Sequence, residues 1–376
     1  MIWIDKQATF DEAMARIGAQ PVIAIDTEAD SLHSYFDKVC LIQMSIPGED
    51  FIIDPLAKID LAKFGELLGD PNIVKVFHGG DYDLRILNRD FGFVVSNLID
   101  TMVSAQLLGY EAFGLAALLD RHFGVKVNKT HQRADWAMRP LTPEMLDYAA
   151  SDTRYLIELY GKLRVELEAL ERWEWALEEF SRLEKIRYRD RDSNEDEPEP
   201  FRKLKGIGGF DRRTLGIVRE LHIWRDGLAR AADRPPFKII GNDALLEIAK
   251  EKPKSRNELE KIKAVSRFHS GRYGSEVTGV VRRVLELPEE QLPERGETKP
   301  WIRDRALEAR IDRLKKIRDK YAKDLKIEPS VLAPRHVLSA VASIQPKELA
   351  QLDEIPAMRE WQKRVLGQAL VDEITK

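Results

Sequence analysis

The sequence predicts an α/β domain with a mixed sheet of five to six strands and flanking helices, followed by two small all-α domains. Three observations predict it: strand-like runs alternating with helical ones over residues 1–180, a charged stretch near residue 190, and a helical remainder that matches itself at an offset of 93 residues. With 376 residues, 43% of them hydrophobic, the chain is too long for one ordinary core.

Pro21 to Ile25 reads as a buried strand, Val39 to Ser45 as a second and Asp50 to Asp54 as a third, with Pro47 and Gly48 turning the chain between the last two. Short connections among the three predict an antiparallel meander. Ile73 to Phe77 gives a fourth strand and Leu98 to Asp100 a fifth, interleaved with helices over 61–68, 82–88 and 114–123. A further helix starts at Thr142, because threonine caps, Pro143 takes the first position where its missing N–H costs nothing, and Glu144 favours the positive helix end.

From Arg182 to Pro200 alternating Arg and Asp give way to acidic residues and proline, which marks a linker. Beyond it Leu221, Arg225, Ala229, Pro236, Leu245, Ile248, Ala249, Leu259, Ile262 and Gly274 correspond to Leu314, Arg318, Ala322, Pro329, Leu338, Val341, Ala342, Leu352, Ile355 and Gly367. A proline and a glycine recur in that register, which helical periodicity alone does not require. The expected domains are 1–180, a linker over 181–208, 209–292 and 293–376.

The net charge of −4 conceals an asymmetry. Residues 1–180 hold 17 Lys+Arg against 30 Asp+Glu, and the remainder holds 43 against 34. An acidic first half suits metal binding, and a basic second half suits a polyanion. Cys40 is the only cysteine, which excludes an internal disulfide, and the seven histidines show no zinc spacing. No apolar run approaches the roughly 18 residues that cross a bilayer, so a cytoplasmic protein without a membrane partner is expected.

Asp26 and Glu28 end an apolar strand, where alternation sends both to one side. Tyr148 and Asp152 stand four apart on the helix after Thr142 and so share a face. Asp81 and Asp83 open another helix, and composition leaves either as a third contributor. Oxygen-only ligands of this kind select Mg²⁺ or Mn²⁺ over zinc, and two such ions can activate water and stabilise a leaving oxygen in phosphodiester hydrolysis.

Asp26-Thr-Glu28, His78 to Leu84 and Tyr148 to Asp152 resemble, in order and spacing, the three motifs of the DEDD exonuclease superfamily. The resemblance covers about residues 1–180 and implies a ribonuclease H-like fold. The spacing from His78 favours Asp83 over Asp81, and a tyrosine four before Asp152 marks the DEDDy branch. Asp100-Thr, Leu107-Leu-Gly and Lys129 to Trp136 resemble the ribonuclease D family, and the repeats resemble HRDC domains. The second repeat departs from the first, with Ile327-Glu-Pro where the first has Arg234-Pro-Pro-Phe.

The resemblance implies a 3′→5′ exoribonuclease that releases nucleoside 5′-monophosphates from RNA with a free 3′ end, with tRNA precursors as the substrate class. It implies two divalent ions, with Asp26 bridging them, Glu28 and Asp152 completing the shell of the first ion, and Asp83 holding the second. Tyr148, with an ordinary pKa near 10, is a poor base and is expected to orient the attacking water. His78, Gln132, Arg133 and Trp136 in the first domain, and Arg225, Arg234 and Lys238 in the second, are the expected RNA contacts. No nucleotide cofactor is expected. A DNA exonuclease and a non-catalytic RNA-binding scaffold are the alternatives.

Overall fold

The computed structural model describes residues 1–127, 130–188, 199–295 and 304–376. They form two compact units: one gathers 1–29, 39–188 and the residues from 304 onward, the other 30–38 and 199–295.

In the first unit the chain runs β1 (Ile2–Ile4), α1 (Gln7–Ile17), β2 (Val22–Ala29), β3 (Val39–Ile46), β4 (Glu49–Ile53), α2 (Ala62–Gly69), β5 (Val74–Phe77), α3 (Asp81–Phe91) and β6 (Leu98–Asp100). Helices α4 (Thr101–Leu108), α5 (Leu115–Phe123), α6 (Pro143–Arg154), α7 (Leu156–Ala169) and α8 (Trp173–Leu183) follow. The sheet order is β1-β4-β3-β2-β5-β6. Strands β2, β3 and β4 form the expected antiparallel meander, while β2–β5, β5–β6 and β1–β4 pair in parallel, so the sheet is mixed.

Five elements lie outside the expectation: β1, α1, α4, α7 and α8. Strand β1 has only three residues, too few to show alternation, and gains its order by pairing with β4 at the sheet edge. Helix α1 does carry a periodic signal, since Phe10, Ala13, Met14 and Ile17 are its buried residues. Helix α4 is capped by Asp100, whose carboxylate accepts from Met102 N and Val103 N at 2.8 and 3.0 Å.

The second unit comprises α9 (Arg212–Ala231), α10 (Pro236–Ile239), α11 (Asn242–Glu251), α12 (Arg256–Leu259) and α13 (Arg267–Glu286). Phe201 is buried in its core, so the end of the expected linker is folded; residues 189–198 lie outside the described residues. Segment 30–38, between β2 and β3, also belongs here, with Tyr35 Oη donating to Asp226 at 2.9 Å.

The repeated pattern returns in the first unit as α14 (Arg305–Leu325), α15 (Pro329–Leu332), α16 (Arg335–Ile344), a 3-10 turn over Leu349–Glu354, and α17 (Glu360–Gln362) continued through a π turn into α18 (Gln368–Ile374). Pro236 and Pro329 each open a short helix, and the paired apolar residues are buried in both copies. Arg225 Nη1 donates to the Ile240 carbonyl at 3.1 Å, and Arg318 Nη1 to the Ala333 carbonyl at 3.0 Å, the same bond one repeat later. A Cβ on Gly367 would lie 2.8 Å from the Leu349 side chain and 3.0 Å from that of Leu352, so the helix packs closely against the 3-10 turn at this point.

This second copy shares one hydrophobic core with the sheet domain. Trp361, fully buried, stacks on Trp175 with ring centroids 4.7 Å apart and donates to Glu179 at 3.0 Å. Arg172 donates to the carbonyls of Leu107 and Leu325, at 2.7 and 2.6 Å, tying α4 to α14. Gly109 has φ +82°, and a Cβ on it would strike the Lys326 carbonyl, so both its conformation and the close approach demand glycine. Among the described residues no helix is long and apolar enough to cross a membrane.

Candidate active site

Strand β2 delivers Asp26 and Glu28 to one face of the sheet, and α6 crosses that face. Its N-terminus is fixed as the sequence suggests, with the Thr142 hydroxyl accepting from Met145 N at 3.3 Å and Pro143 in the first turn. Helix α6 is held to β3 by a 2.7 Å hydrogen bond between the hydroxyls of Ser45 and Thr153. Asp152, next to Thr153, is thereby brought to β2. Carboxylate oxygens of Asp26, Glu28 and Asp152 all lie within 4.8 Å of one another.

Asp83 comes from the first turn of α3, where it is buried and accepts a short hydrogen bond from Thr27 Oγ1. Asp81 instead faces solvent and pairs with Arg85 at 2.7 Å, one turn along the same helix. Thr27, between Asp26 and Glu28, thus couples β2 to α3.

Burial and mutual repulsion disturb every acid in this group. Asp26 is pushed well above the usual carboxylate range by burial and then by the charges of Asp83, Asp152 and Glu28. Burial, with Asp152 and Asp83, raises Glu28 to about 9. Asp152 rises to about 7 through burial and Asp83, and Asp83 to about 6 through burial, held lower by its bond from Thr27. An all-oxygen donor set whose members raise one another's proton affinity is short of positive charge, which fits a divalent cation.

A cavity of about 540 Å³ opens on the cluster, and His78, Gln132 and Tyr148 line it with Asp26, Glu28 and Asp152. Tyr148 is raised above its ordinary pKa by burial and then by Asp152, Glu28 and Asp26, so its hydroxyl keeps its proton. His78 is anchored at its base. Asp100 accepts from Gly79 N and Gly80 N at 3.1 and 2.9 Å, and Thr101 Oγ1 lies 2.9 Å from His78 Nδ1. That hydroxyl donates its one proton to the Phe77 carbonyl at 3.0 Å, so Nδ1 must be the donor and Nε2 the acceptor. Burial lowers the His78 pKa, which keeps the ring neutral.

Two expected RNA contacts do not reach solvent. Trp136 is 1% exposed and stacks on Tyr148 at 6.0 Å, so it positions that ring and offers no face to a base. Arg225 is 4% exposed, with Nη1 spent on the Ile240 carbonyl and, at 2.7 Å, on Asn242. It is a strut inside the repeat. Gln132, Arg133 and Arg234 are exposed, and Lys238 is half-buried with Nζ 3.3 Å from His33 Nδ1. Lys129 lies outside the described residues. Sequence reasoning gave no role to Thr27 or to the side chains of Phe237 and Phe268, two exposed aromatics that stand beside Lys238 and Arg267. An apolar ring flanked by cations was the available signal.

A family model described as 3′-5′ exonuclease matches residues 1–168, and one described as HRDC domain matches 214–281 and 308–374. Over 374 residues the chain is 30% identical to the ribonuclease D of Sphingobium indicum, covering 98% of this chain and 93% of that one. The chain belongs to the ribonuclease D family. It is accordingly a 3′–5′ exoribonuclease. Solved structures agree: that of Escherichia coli RNase D, an exoribonuclease involved in structured RNA processing, is 25% identical with a TM-score of 0.70, covering 99% of this chain and 98% of that one. A protein from Bifidobacterium adolescentis is 26% identical with a TM-score of 0.84, covering 100% and 97%. The α/β and HRDC architecture expected from sequence is therefore shared by ribonuclease D relatives.

Proposed function

We propose that the chain trims tRNA precursors from their 3′ ends in the cytoplasm and releases nucleoside 5′-monophosphates. The observation that carries this reading is the convergence of Asp26, Glu28 and Asp152 within 4.8 Å, with Asp83 adjacent, in the cavity that also holds Tyr148 and His78. Two divalent cations, Mg²⁺ or Mn²⁺, would supply charge neutralisation at the phosphate and activation of the attacking water. Asp26, Glu28 and Asp152 would hold the first, and Asp83, oriented by Thr27, would serve the second together with Asp26.

Tyr148 keeps its proton and donates it in a hydrogen bond that orients the attacking water. Trp136 fixes the ring in that pose. His78, with Nδ1 committed to Thr101, presents Nε2 as an acceptor, which suits a sugar hydroxyl and repels a phosphate oxygen. Gln132 and Arg133 lie on the loop before α6, where a cationic side chain meets the backbone of the entering strand. In the second unit Arg234 and Lys238, with Phe237 54% exposed, combine charge and a stacking face. Phe268, 64% exposed beside Arg267, does the same at the start of α13.

The reading is tested with matched 3′-hydroxyl RNA and DNA single strands and a tRNA carrying a 3′ trailer, each incubated with Mg²⁺. Faster loss of RNA, nucleoside 5′-monophosphate products and shortening of the trailer are expected. Faster loss of DNA, or an intact trailer, overturns it. Tyr148→Phe is expected to lower kcat about a hundredfold, the order lost with one preorganised donor, with the Mg²⁺ requirement unchanged. An unchanged kcat would remove Tyr148 from the water-orienting role.

A further inference from the structure

Strand β3 is buried along its whole length, and Gln43 is the residue in it with an amide side chain. Its exposure is 0%, and among the described residues neither its Oε1 nor its Nε2 has a hydrogen-bond partner. Each such group is costly when buried unpaired, whereas a methionine of the same length would fill the space without that cost. A polar residue kept under those terms calls for a partner that the described residues do not supply.

The strand register says where that partner is. Gln43 lies directly opposite Asp26 in the β2–β3 ladder, between the rungs Ala24–Ser45 and Glu28–Leu41. Opposed side chains in an antiparallel pair share a face, with Cβ atoms about 4.5–5.5 Å apart. That face is the one α6 covers, because Ser45 bonds Thr153 across it. The orphan amide is thus placed beside the carboxylate at the middle of the acidic cluster.

We propose that Gln43 is a positioning residue for the divalent cation: on loading, its amide N–H donates to the Asp26 carboxylate and fixes which oxygen faces the ion, while its carbonyl accepts from a water at the site. The inference rests on the cation site proposed above. A carboxylate held by an outer hydrogen bond is pre-oriented toward its ion, and loss of such a bond costs about 10–100-fold in metal affinity. Thr27 serves Asp83 in the same way from the other side of β2, so both acids that are to touch the second cation have a neutral hydrogen-bonding neighbour.

The test is calorimetric titration of the full chain with Mn²⁺, paired with melting curves of the metal-free protein. Gln43→Met is expected to weaken Mn²⁺ binding at least tenfold while the metal-free melting temperature is unchanged or higher. A folded Gln43→Met variant that binds Mn²⁺ within twofold of the wild type overturns the proposal. Should that variant not fold, Gln43→Asn, which keeps the amide but withdraws it by one methylene, decides the matter by the same twofold criterion. If the wild type itself takes up no Mn²⁺, the cation site fails, a result distinct from equal binding by wild type and variant.

Discussion

Asp26→Asn will abolish hydrolysis and stabilise the metal-free protein at alkaline pH. Loss of the carboxylate that would serve both proposed cations is expected to forfeit several kcal/mol of transition-state stabilisation, or on the order of 10³-fold in kcat. The gain in stability follows from the raised acids. A carboxyl whose folded-state pKa exceeds its unfolded one holds a proton that the unfolded chain has already released. Its favourable contribution is complete below the ordinary carboxylate pKa, near pH 4, and drains away as pH rises through about 6 for Asp83, about 7 for Asp152 and about 9 for Glu28.

The metal-free wild type should therefore lose stability between pH 5.5 and 8.5 by more than Asp26→Asn does, since the variant removes one of the mutually repelling charges. Added Mg²⁺ should raise the melting temperature of the wild type more at pH 8.5 than at pH 5.5, because protons no longer compete for the ligands. Melting curves at the two pH values with and without Mg²⁺ check this. An equal Mg²⁺ shift at both would show that the raised acids are not the ligands.

Trp361→Ala is the second large effect. It deletes a fully buried indole, its stack on Trp175 and its hydrogen bond to Glu179. Such truncations cost about 3–5 kcal/mol, which lowers the melting temperature of a unit this size by roughly 10 °C. RNA hydrolysis at 20 °C should stay near the wild-type rate while the temperature of inactivation falls with the melting point. A melting temperature within 2 °C of the wild type would mean that the second HRDC copy is an appendage to the sheet domain.

Local chemistry made much of this molecule legible. The meander needed only alternation and a Pro-Gly turn, α6 needed its Thr-Pro start, and the repeat announced itself in a fixed register down to the Pro and Gly positions. Long-range partners were not legible. Arg225 reads as a free cation until the Ile240 carbonyl, 15 residues on, is seen to hold it. Trp136 reads as a stacking platform until α6 covers it. Trp175 and Trp361 each show an apolar face, yet nothing in either helix states that the faces meet across 186 residues. Gln43 was the opposite case, since an amide within an uninterrupted buried strand is visible in the sequence, although what it serves depends on its rung.

The core shared by the sheet and the second HRDC copy also bears on how the enzyme is made. Ile4 and Ile25 lie in the same apolar cluster as Trp361, Leu366 and Leu370. During synthesis the strand bearing Asp26 and Glu28 leaves the ribosome long before Trp361, Leu366 and Leu370, which close its core. A chain cut short by a damaged message is left with α4 and α8 facing water, an open form that proteases remove readily. The nuclease is therefore expected to reach its durable state only once Trp361 to Leu370 have been added, which keeps shorter copies from persisting among the cell's RNA.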